Sequence, residues 1–296
     1  MKEGFYTALG TPFDENGVFS GTSFEKQIKD QIGAGASGLL IMGSMGIQST
    51  IVASQYASIA KTGSLAAESA CPVFVGVMDN SIARVMERIE SLAGLPIDGV
   101  VATTPFYSRE KKEAVLNFFK TIADRSRLPL YLYDLPAVTQ NPLTTDDVKQ
   151  LMKHPNIRGI KTPNMVIARE INSDPDRPDG FNIFFSDLDI ADVAYKYGIR
   201  HNLDGMFACT PNISSKMYSS LKNGDYQQAK VCLDRILQLR IIFAKYSILP
   251  AFTEAMNYLG YEGRFHPDYH LVIPESGKAE IFSYIDKYEK GPEASE

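Results

Sequence analysis

Residues 130–162, LYLYDLPAVTQNPLTTDDVKQLMKHPNIRGIKT, contain one complete strand–helix–strand unit. The apolar runs at 130–133 and 157–160 are short and nearly continuous, which is typical of strands buried on both faces of a parallel sheet. Between them, residues 144–152 have the apolar spacing of a helix. Two such strands joined by a helix predict a βαβ unit and therefore an α/β fold.

The same alternation of apolar runs and helical patterns extends along the chain on both sides of this unit. Six further runs have the length and composition of buried strands, at residues 5–9, 38–42, 73–77, 99–103, 181–185 and 205–209. Helical spacing separates the earlier runs, at residues 22–34, 53–70, 82–93 and 111–125. Eight strands that alternate with helices predict a (β/α)8 TIM barrel, with residues 205–209 as its last strand.

The C-terminal part of the chain continues as helices without further strands, at residues 229–246 and 250–259. We therefore divide the chain into a (β/α)8 barrel at residues 1–222 and a C-terminal helical extension at residues 223–296. The last residues, 289–296, are expected to form a solvated tail. Within the barrel, residues 162–180 carry a loop signature where a full helix is expected.

The composition is that of an ordinary globular protein. The 296 residues are 44% hydrophobic and 22% charged, with a net charge of −5, so no basic excess favours nucleic acid or a membrane surface as a partner. No apolar run is long enough to cross a bilayer. The three cysteines are widely spread and form no disulfide framework, and the N-terminus has no signal-peptide pattern. A reducing, cytoplasmic location is expected.

Reactive side chains follow four of the predicted strands. Ser44 follows the second strand, Tyr107 the fourth, Tyr133 ends the fifth, and Lys161 directly follows the sixth. Since the carboxyl ends of all strands meet at one mouth of a barrel, we expect these side chains to converge there.

Lys161 is the most informative of these residues. A lysine that enters a low-dielectric site loses some preference for its charged form, and the neutral amine then attacks a ketone to form an imine. A protonated imine withdraws electrons, so that a carbon–carbon bond β to the imine carbon breaks or forms. The alternative is a solvated lysine at a strand end, which the neighbouring tyrosines make less attractive.

The two tyrosines and the serine loop have chemical and structural interpretations. Tyr133 lies two strand positions from Tyr131, so both point to one face, and a phenol near an imine can move protons. The alternative is that Tyr133 is an aromatic residue of the barrel core and that Tyr107 is an aromatic residue at the surface or at an interface. Ser44, between two glycines of the loop at 43–46, can bind a ligand carboxylate, although the loop also reads as an ordinary tight turn.

Together these strand ends resemble those of the dihydrodipicolinate synthase / N-acetylneuraminate lyase family of class I pyruvate aldolases. The resemblance spans Thr11 to Gly205 and is carried by the Tyr107 loop, by Tyr-x-x-Pro at residues 133–136 and by Gly-Ile-Lys at residues 159–161. It implies that Lys161 forms the Schiff base, and that this covalent imine takes the place of any metal or other cofactor.

The resemblance also implies roles for the other residues. Tyr133 would transfer protons and contact the keto acid carboxylate. Ser44 would bind that carboxylate and join the proton relay as a catalytic residue, and Tyr107 would complete the relay across a subunit contact of a homotetramer. On the same basis we place Met45 and Thr11 at the substrate pocket. We also assign Asp134, Ser186, Asp187 and Met206 to substrate binding, with first-turn helix capping as the alternative for Asp187 and its neighbour Asp189.

Four residues depart from the family pattern, and one of them is Asp134, which stands where the family usually has Asn. Met45 replaces a hydroxyl residue and Ile47 replaces a glutamate of the loop after the second strand. Val138 stands where the synthases carry an arginine for the carboxylate of their second substrate. Without that charge-assisted pair, a carboxylate loses about 1.5–3 kcal/mol of interaction, which argues against the synthase activity.

The sequence therefore predicts a Schiff-base-forming lyase that cleaves or condenses pyruvate with an aldehyde, most simply a 2-keto-3-deoxy sugar acid aldolase. The alternatives are a 2-keto-3-deoxy acid dehydratase or hydratase-aldolase, a dihydrodipicolinate synthase, and a keto-acid-binding protein without catalysis. His266 and His270 are four residues apart, but Pro267 and the absence of a helical pattern speak against a metal site.

Overall fold

The eight apolar strands pair in sequence order and close into a barrel. The computed structural model describes residues 1–291, and every neighbouring pair of its strands is parallel, including the closing pair of the first and last strands. This confirms the predicted (β/α)8 TIM barrel. The strands are Gly4–Ala8 (β1), Gly38–Ile41 (β2), Val73–Gly76 (β3), Gly99–Thr103 (β4), Leu130–Tyr133 (β5), Ile157–Thr162 (β6), Asn182–Phe185 (β7) and His201–Asp204 (β8).

Helices follow the strands and cover the outside of the barrel. Those of the barrel are Gly21–Gly33 (α1), Ala53–Ala66 (α2), Ile82–Ser91 (α3), Lys112–Arg125 (α4), Thr145–Leu151 (α5), Met165–Asn172 (α6), Ala191–Lys196 (α7) and Pro211–Asn223 (α8). The C-terminal helices are Tyr226–Tyr246 (α9), Ile248–Tyr258 (α10) and Glu275–Tyr288 (α11). The last of these was not among the predicted helices.

The predicted last strand at residues 205–209 was wrong. The strand is His201–Asp204, which pairs with both β1 and β7, whereas Met206–Cys209 forms a 3₁₀ turn. The strand was missed because it is polar: Asn202 points outward and accepts a hydrogen bond from the Tyr218 phenol. The Asp204 carboxylate then accepts the Met206 N–H at 2.8 Å, which turns the chain out of the sheet.

The loop interpretation of residues 162–180 was also wrong in its first half. Helix α6 begins after Asn164, whose side-chain oxygen accepts the N–H groups of Val166 and Ile167 at 2.9 and 3.3 Å. A good N-cap allows a helix of two turns that buries Ile167 and Ile171. The loop-forming residues follow this helix rather than replace it.

The C-terminal helices pack on the barrel: α9 contacts α7, α8 and the turn Leu188–Ile190, and it also contacts α10 and α11. Gly224, at φ 76°, ends α8 in the left-handed conformation that favours glycine. The boundary of the extension at residues 222 and 223 stays a prediction. In the part of the chain described, no single helix is long and apolar enough to cross a membrane; α9 and α10 meet that test only together, with a bend of 120°.

The prediction that a solvated tail starts at residue 289 was wrong for that residue. Glu289 is buried, and its two carboxylate oxygens accept the N–H groups of Asn212 and Ile213 at 2.7 and 3.2 Å. These groups lie in the first turn of α8, so the carboxylate fixes the end of α11 to the barrel. Burial raises the pKa of Glu289 to about 8. Residues 292–296 lie outside the described residues.

The interior of the barrel is filled by a compact aromatic cluster. Tyr6 contacts Phe184 edge to face at 4.9 Å between ring centroids, and Phe74 contacts Tyr131 in the same way at 4.9 Å. Tyr133 belongs to this cluster and lies at its carboxyl side. The packed rings form a rigid floor beneath the mouth of the barrel.

Candidate active site

Lys161 and Tyr133 form a buried pair at the carboxyl ends of β6 and β5. They are register partners on adjacent parallel strands, so their side chains leave the sheet side by side. Lys161 Nζ donates a hydrogen bond to the Tyr133 phenol oxygen at 2.8 Å. The side chains are only 7% and 3% exposed, respectively. A buried amine with a single phenol partner has few hydrogen bonds to break before it reacts with a ketone.

Ser44 extends this pair into a line of three polar groups. Its hydroxyl oxygen lies 3.4 Å from the Tyr133 phenol oxygen, and Ser44 itself is exposed at the mouth. The structure thus brings together Lys161, Tyr133 and Ser44, as the sequence predicted. A proton can pass along such a line between the amine side and the solvent side of the mouth.

The loop that carries Ser44 is held in an unusual backbone conformation. Met42 and Ile47, at either end, have φ values of 52° and 49°, in the left-handed region that β-branched residues avoid. Gly46 is required between them, because a Cβ there would lie 2.9 Å from the Met42 Cα. Strain of this kind persists where the surroundings fix the loop, and it fits a preorganised ligand site. Sequence reasoning gave no signal for it.

Thr11 and Met45 hold this loop against the barrel. The buried Thr11 hydroxyl donates to the Gly46 carbonyl at 2.8 Å, so it supports the loop from below. The Met45 side chain packs over Gly205, where a Cβ would lie only 2.6 Å from the Met45 Cε. Met45 therefore fills space at the mouth that a hydroxyl residue would leave open.

Both carboxylate oxygens of Asp134 accept hydrogen bonds from within the protein. It follows Tyr133 on β5 and points away from the barrel interior, where its two oxygens accept the Leu143 N–H at 3.2 Å and the Thr162 hydroxyl at 2.9 Å. Burial raises the pKa of Asp134, and these two hydrogen bonds oppose that shift. Its position ties β5 to β6, which aligns Tyr133 with Lys161.

The residues after β7 and β8 form the opposite side of the mouth. Asp187 caps the 3₁₀ turn Leu188–Ile190 by accepting the Asp189 N–H at 3.1 Å. Both carboxylate oxygens of Asp189 accept from Nη2 of Arg240 in α9, at 2.7 and 2.8 Å. This geometry agrees with the capping alternative. Ser186 is half-buried at the end of β7, and Met206 is buried in the turn after β8.

Asp204, at the end of β8, was not singled out from the sequence. Burial raises the pKa of its carboxyl group, and the nearby positive charge of Lys161 opposes this shift. No motif marks this residue, because it lies in the polar strand that apolar patterning missed.

Tyr107 is the one predicted catalytic residue that the chain does not bring to the lysine. Its side chain is 84% exposed, and its phenol has no hydrogen-bond partner within residues 1–291. The backbone is nevertheless fixed, since the N–H groups of Phe106 and Tyr107 both donate to Asn80 Oδ1 at 2.7 and 2.8 Å. A fixed loop with an exposed aromatic tip suits a contact with another subunit.

A cavity of about 240 Å³ opens beside Ser44 between the segments after β2, β3, β4 and β5. Its lining includes Ser44, Gln48, Thr103, Val138 and Thr139. Gln48 and Thr103 are functional candidates that sequence reasoning missed, because an isolated amide and a strand-end hydroxyl carry no pattern. Among residues 1–291, no group of three or more His, Cys, Asp or Glu side chains is placed to hold a metal ion.

A (β/α)8 barrel with a buried lysine and a phenol at its carboxyl mouth has the architecture of Schiff-base-forming, pyruvate-dependent lyases. The chain belongs to the dihydrodipicolinate synthetase family, whose model matches residues 1–267. Members of this family are pyruvate-dependent lyases and synthases that work through a lysine Schiff base and use no metal.

The chain is similar to several curated relatives and solved structures. It is 29% identical to the 4-hydroxy-tetrahydrodipicolinate synthase of Pseudoalteromonas atlantica over 81% of this chain and 82% of that one, and 27% identical to that of an Exiguobacterium species over 88% and 89%. Its fold matches a pyruvate complex of an E. coli K12 prophage protein of the dihydrodipicolinic acid synthase family, with a TM-score of 0.88, 22% identity and coverage of 97% and 98%. It also matches Proteus mirabilis N-acetylneuraminate lyase, with a TM-score of 0.87, 16% identity and coverage of 96% and 98%.

Proposed function

We propose that this protein is a class I aldolase that cleaves or forms 2-keto-3-deoxy acids, including those derived from sugars, with pyruvate as the keto acid. The observation that carries the proposal is the 2.8 Å hydrogen bond between Lys161 Nζ and the Tyr133 phenol, at the carboxyl mouth of the barrel. Ser44 continues the line of hydroxyl groups.

Each step uses a group within this line. The Lys161 amine attacks the ketone carbon to give a carbinolamine, and Tyr133 supplies the proton with which the carbinolamine oxygen leaves as water. In the cleavage direction, the protonated imine accepts the electrons of the breaking carbon–carbon bond, while the Tyr133 phenolate left by the first step takes the proton of the departing hydroxyl and an aldehyde is released. The resulting enamine is protonated to the pyruvate imine, and water then releases pyruvate and the free lysine.

The keto acid carboxylate binds at the loop of residues 43–46. Ser44 offers a hydroxyl and the loop offers backbone N–H groups at an exposed position next to Tyr133. Met45 supplies no second hydroxyl, so the carboxylate relies on Ser44 and the backbone.

A second candidate function is 4-hydroxy-tetrahydrodipicolinate synthesis, which the names of the relatives at 25–29% identity favour. That reaction needs a site for the carboxylate of a second, charged substrate. Among the described residues, the lining of the cavity beside Ser44 includes the exposed, apolar Val138 and no cationic side chain. The aldolase function therefore agrees better with the chemistry of the mouth.

We further propose that the protein acts as a cytoplasmic homotetramer, in which Tyr107 reaches the Ser44 and Tyr133 hydroxyls of another subunit. The exposed, fixed loop of Tyr107 supports this arrangement.

A product assay tests the function. The purified protein is incubated with a panel of 2-keto-3-deoxy acids, and pyruvate and aldehyde are measured separately. Release of both in equal amounts supports the aldolase, whereas loss of water without pyruvate release supports the dehydratase. Turnover of pyruvate with aspartate semialdehyde alone would favour the synthase over the proposed function.

A further inference from the structure

The backbone around Tyr107 is held by side chains from other parts of the chain. Tyr107 lies in the segment 105–110 between β4 and α4, which has no regular secondary structure. Among residues 1–291, no backbone–backbone hydrogen bond involves a residue of this segment. The Tyr107 side chain is 84% exposed, so packing gives it little support. The direction of its phenol therefore depends on the groups that bind the backbone of the segment.

Asn141, in the segment after β5, binds this backbone at three points. Its amide nitrogen donates to the carbonyl oxygens of Pro105 and Ser108 at 2.7 and 2.8 Å, and its amide oxygen accepts the Glu110 N–H at 2.7 Å. Both hydrogens and the oxygen of the amide are thus used on residues that flank Tyr107. Asn141 is buried, so these hydrogen bonds form away from competing water.

Two further side chains complete the support of the segment. Gln140 Nε2 donates to the Tyr107 carbonyl oxygen at 3.1 Å. From the other side, Asn80 Oδ1 accepts the N–H groups of Phe106 and Tyr107. Side-chain amides therefore replace the backbone ladder that a strand or a helix would provide.

Asn141 is itself fixed relative to the reaction centre. Two residues further on, the Leu143 N–H donates to the Asp134 carboxylate at 3.2 Å, and Asp134 directly follows Tyr133. The same carboxylate accepts the hydroxyl of Thr162 on β6. The support of the Tyr107 segment is thus built on the strand ends that carry the reactive amine and phenol.

We propose that Asn141, with Gln140 beside it, is a positioning residue for Tyr107 and holds the segment 105–110 in the conformation that presents the phenol to another subunit. This role rests on the proposed aldolase function and on the action of Tyr107 in a neighbouring subunit, and it adds the residue that sets the place of the phenol. A change at Asn141 therefore impairs the active site of the neighbouring subunit, whereas a purely structural residue impairs its own.

Kinetics of the single variants measure the size of the effect. Asn141→Ala should lower kcat for pyruvate release about 10²-fold, as expected when a reacting group moves by about 1 Å, with KM changed much less. The pyruvate–borohydride adduct on Lys161 should still form. Gln140→Ala, at an exposed position, should lower kcat about 2- to 10-fold, because one neutral hydrogen bond is lost.

Asn156→Ala is the matched control. The Asn156 amide also donates to backbone carbonyl oxygens, but at the amino ends of the strands, where it binds Ala123, Ser126 and Leu128. Its loss should lower the free energy of unfolding and leave kcat unchanged.

Mixed multimers locate the effect. Two differently tagged chains are co-expressed and purified over both tags. Lys161→Ala chains should restore activity to Asn141→Ala chains, because they supply a correctly held Tyr107 to intact lysines. Lys161→Ala chains should likewise restore activity to Tyr107→Phe chains, but the double variant Lys161→Ala/Asn141→Ala should not. The control double variant Lys161→Ala/Asn156→Ala should restore it fully.

Full kcat in Asn141→Ala, or a loss that Lys161→Ala chains do not restore, would overturn the positioning role and leave the aldolase function standing. The same holds if the double variant with Asn141→Ala restores Tyr107→Phe chains fully, or if Lys161→Ala chains do not restore them. If Asn141→Ala does not fold by itself, Gln140→Ala takes its place in every mixture. Absence of the Lys161 adduct in the unmodified protein would overturn the proposed function, and the positioning role with it.

Discussion

Tyr133 and Lys161 are register partners on adjacent strands, and the phenol oxygen of one lies 2.8 Å from the amine nitrogen of the other. Parallel pairing of β5 and β6 thus sets the reactive geometry before any ligand binds. Asp134 strengthens it, since its carboxylate joins β5 to Thr162 on β6 at 2.9 Å.

Tyr133→Phe should lower kcat by about 10²- to 10⁴-fold, because the positioned proton donor is removed while the ring remains. Pyruvate binding should change much less. Steady-state kinetics of pyruvate release measure this effect. Tyr131→Phe is the matched control, since Tyr131 points to the same face two residues deeper in the barrel. If Tyr133→Phe were as active as the control and the unmodified protein, the Tyr133 phenol would move no essential proton.

Thr11→Val should destabilise the loop of residues 43–46. The change keeps the shape of the side chain but leaves the Gly46 carbonyl without its 2.8 Å hydrogen bond, at a cost of about 1–3 kcal/mol. Urea unfolding measures the loss of stability. KM for pyruvate should also rise, because Ser44 becomes less well positioned. Thr50→Val, which removes an exposed hydroxyl near the same loop, is the control. A loss no larger than that of the control would contradict the supporting role of Thr11.

Tyr107 should act in a neighbouring subunit, because its side chain projects into solvent within its own chain. Tyr107→Phe and Lys161→Ala should each be nearly inactive as single preparations. Mixed multimers of the two should regain activity, since some sites then combine an intact lysine with an intact phenol from another chain. Light scattering checks assembly. A stable, fully active monomer, or mixed multimers without regained activity, would refute this arrangement.

Glu289 should make stability depend on pH. Burial raises its pKa to about 8, above the value of about 4.3 in an unfolded chain, so the folded state holds the proton more tightly. The contribution of Glu289 to the free energy of unfolding is fully present below about pH 4, falls as the pH rises toward 8 and is constant above that. At about 1.4 kcal/mol per pKa unit, the total change is a few kcal/mol.

Glu289→Gln should remove this downward slope of the free energy of unfolding between about pH 5 and 8. Urea unfolding at a series of pH values measures it, with Glu262→Gln, an exposed glutamate, as the control. An unchanged slope in Glu289→Gln would show that the carboxyl group is not responsible.

Much of the barrel follows from the sequence, because buried parallel strands need continuous apolar runs, and those strands place Ser44, Tyr133 and Lys161 at one mouth. β8 was not predicted because its outward-facing residue Asn202 is polar and accepts a hydrogen bond from the Tyr218 phenol, so the strand lacks a continuous apolar run. Helix α6 was missed since one N-cap, Asn164, outweighs the loop-forming residues that follow it.

Parts of the candidate site have no local sequence signal. The left-handed backbone of Ile47 opposes its intrinsic preference and is imposed by tertiary packing. The Gln48 amide is buried without a hydrogen-bond partner among residues 1–291, and this becomes visible only when segments after four different strands come together. Such features arise from long-range contacts, which neither periodicity nor composition encodes.

The central claim is that Lys161 forms an imine with pyruvate. Treatment with pyruvate and borohydride, followed by peptide mass spectrometry, tests it most directly. We predict one reduced pyruvate adduct on the peptide that contains Lys161, together with loss of activity, and no adduct in Lys161→Arg. An unmodified Lys161 in a protein that remains fully active after this treatment would contradict the account.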